Sequence, residues 1–192
     1  MTKRNDGLIV NISSPGGLKY LFNVCYGVGK SAVDRMAADC AVELKDHNVT
    51  MVSLWPGPVK TEYVKENDGI GKEGKMININ WNENPSEILK KEILITGLGD
   101  TGAFTNAESV EFSGKAITKL AMDPKRLEKT GKILFVCDLA REYGFTDEDG
   151  DIHDIRSLGY QFSRTGHTWI ASIIPGFLRI PSFLLHLAGN KF

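Results

Sequence analysis

The stretch 49–58, VTMVSLWPGP, decides the fold. Seven residues rich in β-branched and apolar side chains run together, and Pro56, Gly57 and Pro58 stop them. A strand covered on both faces reads this way, because neither face needs polar residues. Residues 8–13, LIVNIS, form a second run of the same kind. Between the two, Ser14 to Cys25 holds Pro15, Gly16 and Gly17 and reads as a loop. From Tyr26 to about Lys45, apolar residues fall at Val28, Ala32, Val33, Met36, Ala37, Cys40, Ala41 and Leu44. That is helical spacing, and Asp46 to Asn48 breaks it. Strand, helix and strand of these lengths make one βαβ unit. The predicted fold class is therefore α/β, a doubly wound parallel sheet covered by helices.

Working outward, residues 59–105 are less regular. Asp68 to Lys75 is rich in Gly and Lys and reads as a mobile loop. Asn84, Pro85 and Glu87 supply a cap, a first-turn proline and a capping-box acid for a helix through about Ile95. Gly97 to Gly102 is a glycine-rich break. Thr105 and Glu108 have capping-box spacing and open another helix. Val110, Gly114, Ile117, Leu120 and Ala121 line its face, and Asp123-Pro124 end it. Lys132 to Cys137, KILFVC, is a third strand. Asp147, Glu148, Asp149 and Asp151 cluster around Gly150. A calcium loop starting at Asp147 would need a bidentate Glu at its twelfth position, where Leu158 stands. The cluster therefore reads as a solvated turn, and no metal site is expected. His153, His167 and His186 show no ligand spacing.

Composition narrows the class. The chain has 192 residues, 42% hydrophobic and 24% charged, which suits a globular domain with a continuous core. With 23 basic and 24 acidic residues the net charge is −1, so no nucleic-acid partner is expected. Cys25, Cys40 and Cys137 are odd in number and widely spaced, which argues for a reducing compartment rather than a disulfide framework. Cys40 and Cys137 read as core filler.

The residues that carry chemistry are Tyr26 and Lys30. Four apart on a helix, they share a face, and an adjacent ammonium favours phenolate over phenol. A tyrosine so placed suits general acid–base work on a carbonyl or alcohol. By itself the spacing is common and fits an ordinary amphipathic helix start. Its context is more specific. Ser14 ends the first strand, Tyr26 begins the following helix, and Pro56-Gly57 end the next strand. In a parallel sheet all three lie at the carboxyl edge, where open α/β sheets bind ligands. Ser14 could bond a substrate carbonyl while Tyr26 protonates it.

These residues resemble the short-chain dehydrogenase/reductase family. Asn11-Ile12-Ser13-Ser14 with Gly17 is similar to the family's catalytic serine segment, and the Ser-x-x-Gly spacing points to Ser14. Tyr26-Gly27-Val28-Gly29-Lys30 is similar to its Tyr-x-x-x-Lys signature. Pro56-Gly57-Pro58-Val59-Lys60-Thr61 is similar to the Pro-Gly segment that follows the sixth strand. Gly131 to Asp138 resembles the last strand. The likeness covers residues 8 to about 138. It implies a Rossmann-like sheet, with catalytic Ser14, Tyr26 and Lys30. It also implies an NADP(H) or NAD(H) cofactor held by Tyr26, Lys30, Pro56, Gly57, Val59 and Thr61. In that reading Lys30 bonds the nicotinamide ribose and Tyr26 donates the proton.

The family's opening Gly-x-x-x-Gly-x-Gly turn, which holds the pyrophosphate at a helix N-terminus, has no counterpart before Leu8. The glycine-rich pieces at Gly69 to Gly74 and Gly97 to Gly102 follow the catalytic segment, and neither leads from a buried strand. The expectation is a domain truncated at its N-terminus over residues 1–138, with a C-terminal extension over 139–192. Alone it should bind cofactor poorly and be inactive. The run Trp169 to Ala188 is apolar but broken by Pro175, Arg179 and Pro181. It suits interfacial contact with a membrane, a fold over the substrate pocket, or a partner subunit. An intracellular site at the endoplasmic reticulum membrane surface is the expectation. The apolar tail suggests a lipophilic, steroid-like carbonyl or alcohol substrate, and a homo-oligomer is expected in the full-length protein. The competing expectation is a non-catalytic binding or regulatory fragment that uses the tail for a membrane or partner.

Overall fold

The computed structural model describes residues 1–21, 23–62, 107–164, 168–181 and 184. The expected helix over Asn84 to Ile95 and both glycine-rich loops lie outside the described residues. The core is a parallel sheet of three strands: β1 (Gly7–Ile12), β2 (Val49–Trp55) and β3 (Ile133–Phe135). Its spatial order is β1-β2-β3. β1 runs parallel to β2 in the register Gly7↔Val49 through Ile12↔Leu54. β3 pairs with β2 through Ser53↔Ile133 to Trp55↔Phe135. All seven residues of the central strand β2 are buried, which accounts for its unbroken apolar reading.

Helices cover both faces. α1 (Val24–Leu44) crosses over between β1 and β2; α2 (Val110–Met122) precedes β3 and α3 (Val136–Tyr143) follows it. Alternate residues of β2 separate the two layers. Ser53 Oγ (2.5 Å) and Trp55 Nε1 (3.0 Å) both donate to Asp34 Oδ1 on α1. Leu54 faces the other way and packs with Phe112 and Ala116 of α2 and Val136, Leu139 and Ala140 of α3. The sheet is doubly wound, as expected.

Three expectations need correction. First, only part of the apolar set of α1 turns inward. Ala37 and Ala41 are buried, whereas Val28 is 63% exposed and Met36 is also exposed. The stripe toward the sheet runs through Lys30, Asp34, Ala37 and Ala41, and its first two members are charged because they bond to the strands. Second, α2 starts at Val110 with Ser109 as its cap, whose hydroxyl accepts Phe112 N–H. Glu108 is not a capping acid but lies buried before the helix. The buried face is Phe112, Ala116 and Leu120, and Val110 is exposed. Third, the strand ends at Phe135 and Cys137 sits in α3, buried, where desolvation pushes its thiol up to about 12. Residue 138 thus falls inside α3, and the core continues through Leu139 and Ala140.

The acidic turn is not solvated at its start. Asp147 is buried and accepts Ser109 N–H (2.7 Å), the Ser109 hydroxyl and Glu148 N–H (2.8 Å). Burial raises its proton affinity, but these donors outweigh burial and hold it below the usual carboxylate range. His153, also buried, sits 3.2 Å from the Asp147 carboxylate and 3.1 Å from that of Asp149. Beyond it, α4 (Leu158–Arg164) packs on α5 (Thr168–Ile173). Arg179 and Arg156 tie this tail to Asp138 on α3, and Arg179 also pairs with Asp154 at 2.6 Å. Trp169, Ile173, Phe177 and Leu178 are exposed. Among the described residues no helix is long and apolar enough to cross a membrane.

Candidate active site

The site forms where β1 and β2 end on the same edge of the sheet. β1 continues one residue past its last pair, with Ser13 N–H donating to Leu54 O at 2.8 Å. Ser13 is buried, and its hydroxyl donates to Lys30 O at 3.3 Å. Its side chain is used within the fold. Ser14 caps the 3-10 turn Pro15–Gly17, and its Oγ accepts Gly16 N–H at 3.0 Å. Ser14 remains half-buried, with its own hydroxyl proton not used in that bond.

Asn23 caps α1, accepting Tyr26 N–H at 2.7 Å, and so places the tyrosine in the first turn. The turn and the helix meet without a side chain between them. A Cβ at Gly16 would lie 2.5 Å from Tyr26 Cε1 and 3.4 Å from Ser14 Oγ. Only a glycine admits the ring this closely, so the Tyr26 ring packs against the turn that Ser14 caps. A Cβ at Gly17 would lie 2.8 Å from Asp34 Oδ2, and Ser31 Oγ donates to Gly17 O at 2.5 Å. The serine turn is thereby fastened to the first two turns of α1.

Lys30 is one helical turn beyond Tyr26. Its ammonium donates to Ile12 O at 3.0 Å and lies 5.5 Å from the centroid of the Tyr26 ring. The strand end thus holds the cation beside the aromatic ring. The Tyr26 ring thus meets both the turn that Ser14 caps and the Lys30 ammonium.

The segment after β2 is held from the opposite side. Val59 forms an isolated parallel bridge with Glu108. Lys60 N–H donates to Glu108 O and Glu108 N–H to Pro58 O, both at 2.8 Å. Thr61 N–H turns back onto Val59 O at 2.9 Å. The Glu108 side chain reaches Gly57, whose N–H donates to Oε2 at 3.1 Å, and Ser113 Oγ donates to Oε1 at 3.1 Å. Pro56, Gly57, Val59 and Thr61 therefore form one fixed strap at the sheet edge. Sequence reasoning missed Glu108. It is 51 positions from Gly57, and its spacing from Thr105 mimicked a capping box. Glu108 is 1% exposed, and burial is the main cause that pushes its carboxyl up to about 7. The bonds from Gly57 and Ser113 pull against burial, and Asp147 acts in its direction.

Comparison with known proteins gives the following. Residues 1–69 match the family described as short chain dehydrogenase. The mouse protein dehydrogenase/reductase SDR family member 1 is 47% identical over 194 aligned positions, which take in all of this chain and 56% of that protein. Its human counterpart is 46% identical over the same span. The chain thus spans little more than half the length of these relatives. Among solved structures, an actinorhodin polyketide ketoreductase with NADPH overlays with a TM-score of 0.49 at 20% identity, over 71% of this chain and 48% of that one.

Proposed function

The chain belongs to the short-chain dehydrogenase/reductase family, and from this we propose that Ser14, Tyr26 and Lys30 carry the proton-transfer half of a nicotinamide-dependent reduction of a carbonyl, run in either direction. The observation that supports the reading is the close packing of the Tyr26 ring on Gly16, in the turn that Ser14 caps, with the Lys30 ammonium 5.5 Å from the ring centroid. The Ser14 O–H would donate to the substrate oxygen and orient it. The Tyr26 O–H bond would break as its proton passes to that oxygen. Lys30, held on Ile12 O, would stabilise the phenolate left behind. Bound NAD(P)H would supply the hydride to the carbonyl carbon. Lys30 would hold the nicotinamide ribose, and the strap Pro56, Gly57, Val59 and Thr61 would hold the nicotinamide.

For the substrate we propose a lipophilic carbonyl or alcohol. Ile155 opens the tail against Gly57, a Cβ of which would lie 2.9 Å from Ile155 Cγ2. From there the tail leads to the exposed Trp169, Ile173 and Phe177. Exposed apolar side chains of this kind suit an apolar ligand or contact with a membrane surface.

The test is Tyr26→Phe, assayed in the 192-residue chain and, where a longer reading frame contains it, in that frame as well. NADPH and NADH oxidation would be followed against a panel of aldehydes, ketones and steroid-like substrates. Loss of the phenolic proton should lower kcat by roughly 100-fold or more with melting temperature unchanged. Turnover equal to that of the parent protein would rule out Tyr26 as the acid.

A further inference from the structure

Outside the Ser14–Tyr26–Lys30 group, the turn 147–153 gathers Asp147, Asp149 and His153 in the order Asp-x-Asp-x-x-x-His. We propose that these three side chains bind one divalent transition-metal ion, with Zn²⁺ the best match, and leave one coordination position open to the cavity beside them. The proposal does not depend on the nicotinamide chemistry assigned to the sheet edge.

The histidine carries it. His153 is 8% exposed, and its Nε2 is buried without a hydrogen-bond partner. That nitrogen faces two carboxylates, 3.2 Å from Asp147 Oδ2 and 3.1 Å from Asp149 Oδ2. At such distances an aligned ring proton would make a hydrogen bond, and neither contact is one. A proton on Nε2 therefore serves neither oxygen, whereas an ion in its place would bond the nitrogen and both oxygens. The spacing agrees. Ligand atoms bonded at about 2.0–2.2 Å to a tetrahedral ion stand roughly 3.3–3.6 Å apart, within a few tenths of an ångström of the two contacts here. All three ligand atoms lie within 4.8 Å of one another, and Asp149 is exposed, so its carboxylate can close the remaining side.

The donor set selects the ion. One imidazole nitrogen and two carboxylate oxygens suit Zn²⁺, whereas Ca²⁺ and Mg²⁺ take oxygen ligands and more of them. Leu158 at the twelfth position excludes a calcium loop but has no bearing on a three-ligand site. The two carboxylates match the charge of the ion. Ser109 and Glu148 donate to Asp147 from behind, and Asp151 N–H donates to Asp149 Oδ1 at 3.0 Å, which orients both groups. Three protein ligands leave a fourth position. Next to them is a cavity of about 490 Å³, whose lining includes Lys60, Asp149, His153, Asp154, Ser157 and Tyr160. It gives the ion an entry path and room for a water as fourth ligand. Through Asp147 and its bonds to Ser109, the ion would fasten the turn to the start of α2.

Calorimetric titration of the chelator-treated 192-residue chain with ZnCl₂ tests the site, with MgCl₂ and CaCl₂ run alongside. One Zn²⁺ should bind per chain with micromolar or tighter affinity, at least about tenfold more tightly than Mg²⁺ or Ca²⁺. His153→Gln and Asp149→Asn should each weaken binding by about tenfold or more. Asp149 is exposed, so Asp149→Asn keeps the test alive should His153→Gln fail to fold. Co²⁺ added to the parent chain should give visible ligand-field bands that Asp149→Asn weakens. Absence of stoichiometric Zn²⁺ binding in the parent would overturn the site. So would Zn²⁺ binding as tight in Asp149→Asn as in the parent, which would place the ion on other side chains, or Mg²⁺ or Ca²⁺ binding as tight as Zn²⁺.

Discussion

At the scale of single residues, the site depends on a side chain that is missing. Gly16 lets the Tyr26 ring lie against backbone, so Gly16→Ala must push the ring or the turn aside. Overpacking of this kind should destabilise the chain by about 1–3 kcal/mol. Where turnover is measurable, it should fall more than that loss of stability accounts for, because the ring moves off the turn that Ser14 caps. Denaturant melts together with steady-state rates check both halves. Tyr26, Lys30 and Ser14 were legible because each belongs to a short-range spacing that survives folding unchanged. Asp34 was not singled out, and what it and Lys30 bond to was not legible. Their partners, Ile12 O, Ser53 and Trp55, lie on strands that the helix meets through tertiary packing. Glu108 was not legible at all as part of the site. Nothing local connects a carboxyl to an amide that precedes it by 51 positions.

At the scale of elements, periodicity found the pieces and misjudged some faces. β2 was read to its residue limits because burial on both sides leaves no alternation to misread. α1 was found as a helix, but its apolar set was only partly inward: Ala37 and Ala41 are buried while Val28 and Met36 face outward, and Lys30 and Asp34 bond to the strands. A hydrophobicity pattern assumes that apolar means inside, and a helix that uses its inner face for ion–dipole and hydrogen-bond contacts violates the assumption. The start of α2 failed for a related reason. Ser109 caps the helix while being gripped by Asp147, a residue 38 positions further on. Ser109→Ala removes the cap and one partner of a buried carboxylate. It should lower stability by about 1–2 kcal/mol, measured as a shift in the urea midpoint at constant m. A shift no larger than that of an exposed α2 substitution such as Glu111→Ala would show that Asp147 alone holds the helix start.

At the scale of the molecule, two groups of carboxyls set opposite pH limits. Asp147 and Asp154 are held low, so the stability they contribute is present above about pH 4 and is lost as pH falls through their folded values. Glu108 is displaced upward, so its contribution is complete below its usual value near 4.5 and is lost as pH rises through about 7. Stability should therefore peak on the acid side of neutrality. Above about pH 7, Glu108→Gln should exceed the parent by up to about 3 kcal/mol, an upper limit set by the size of the displacement. Chemical denaturation at pH 5 and pH 8 checks this, and a parent curve that is flat between them would refute it. One consequence concerns the sheet itself. β2 lies at the centre and β1 at the margin, and among the described residues no strand pairs with the outer side of β1, where Ile12 stands exposed. A margin of this kind presents a ladder of amides and carbonyls to whatever extended polypeptide drifts by. Where that border stays unpaired, association along it should rise with protein concentration and reverse on dilution, which sedimentation over a dilution series reads.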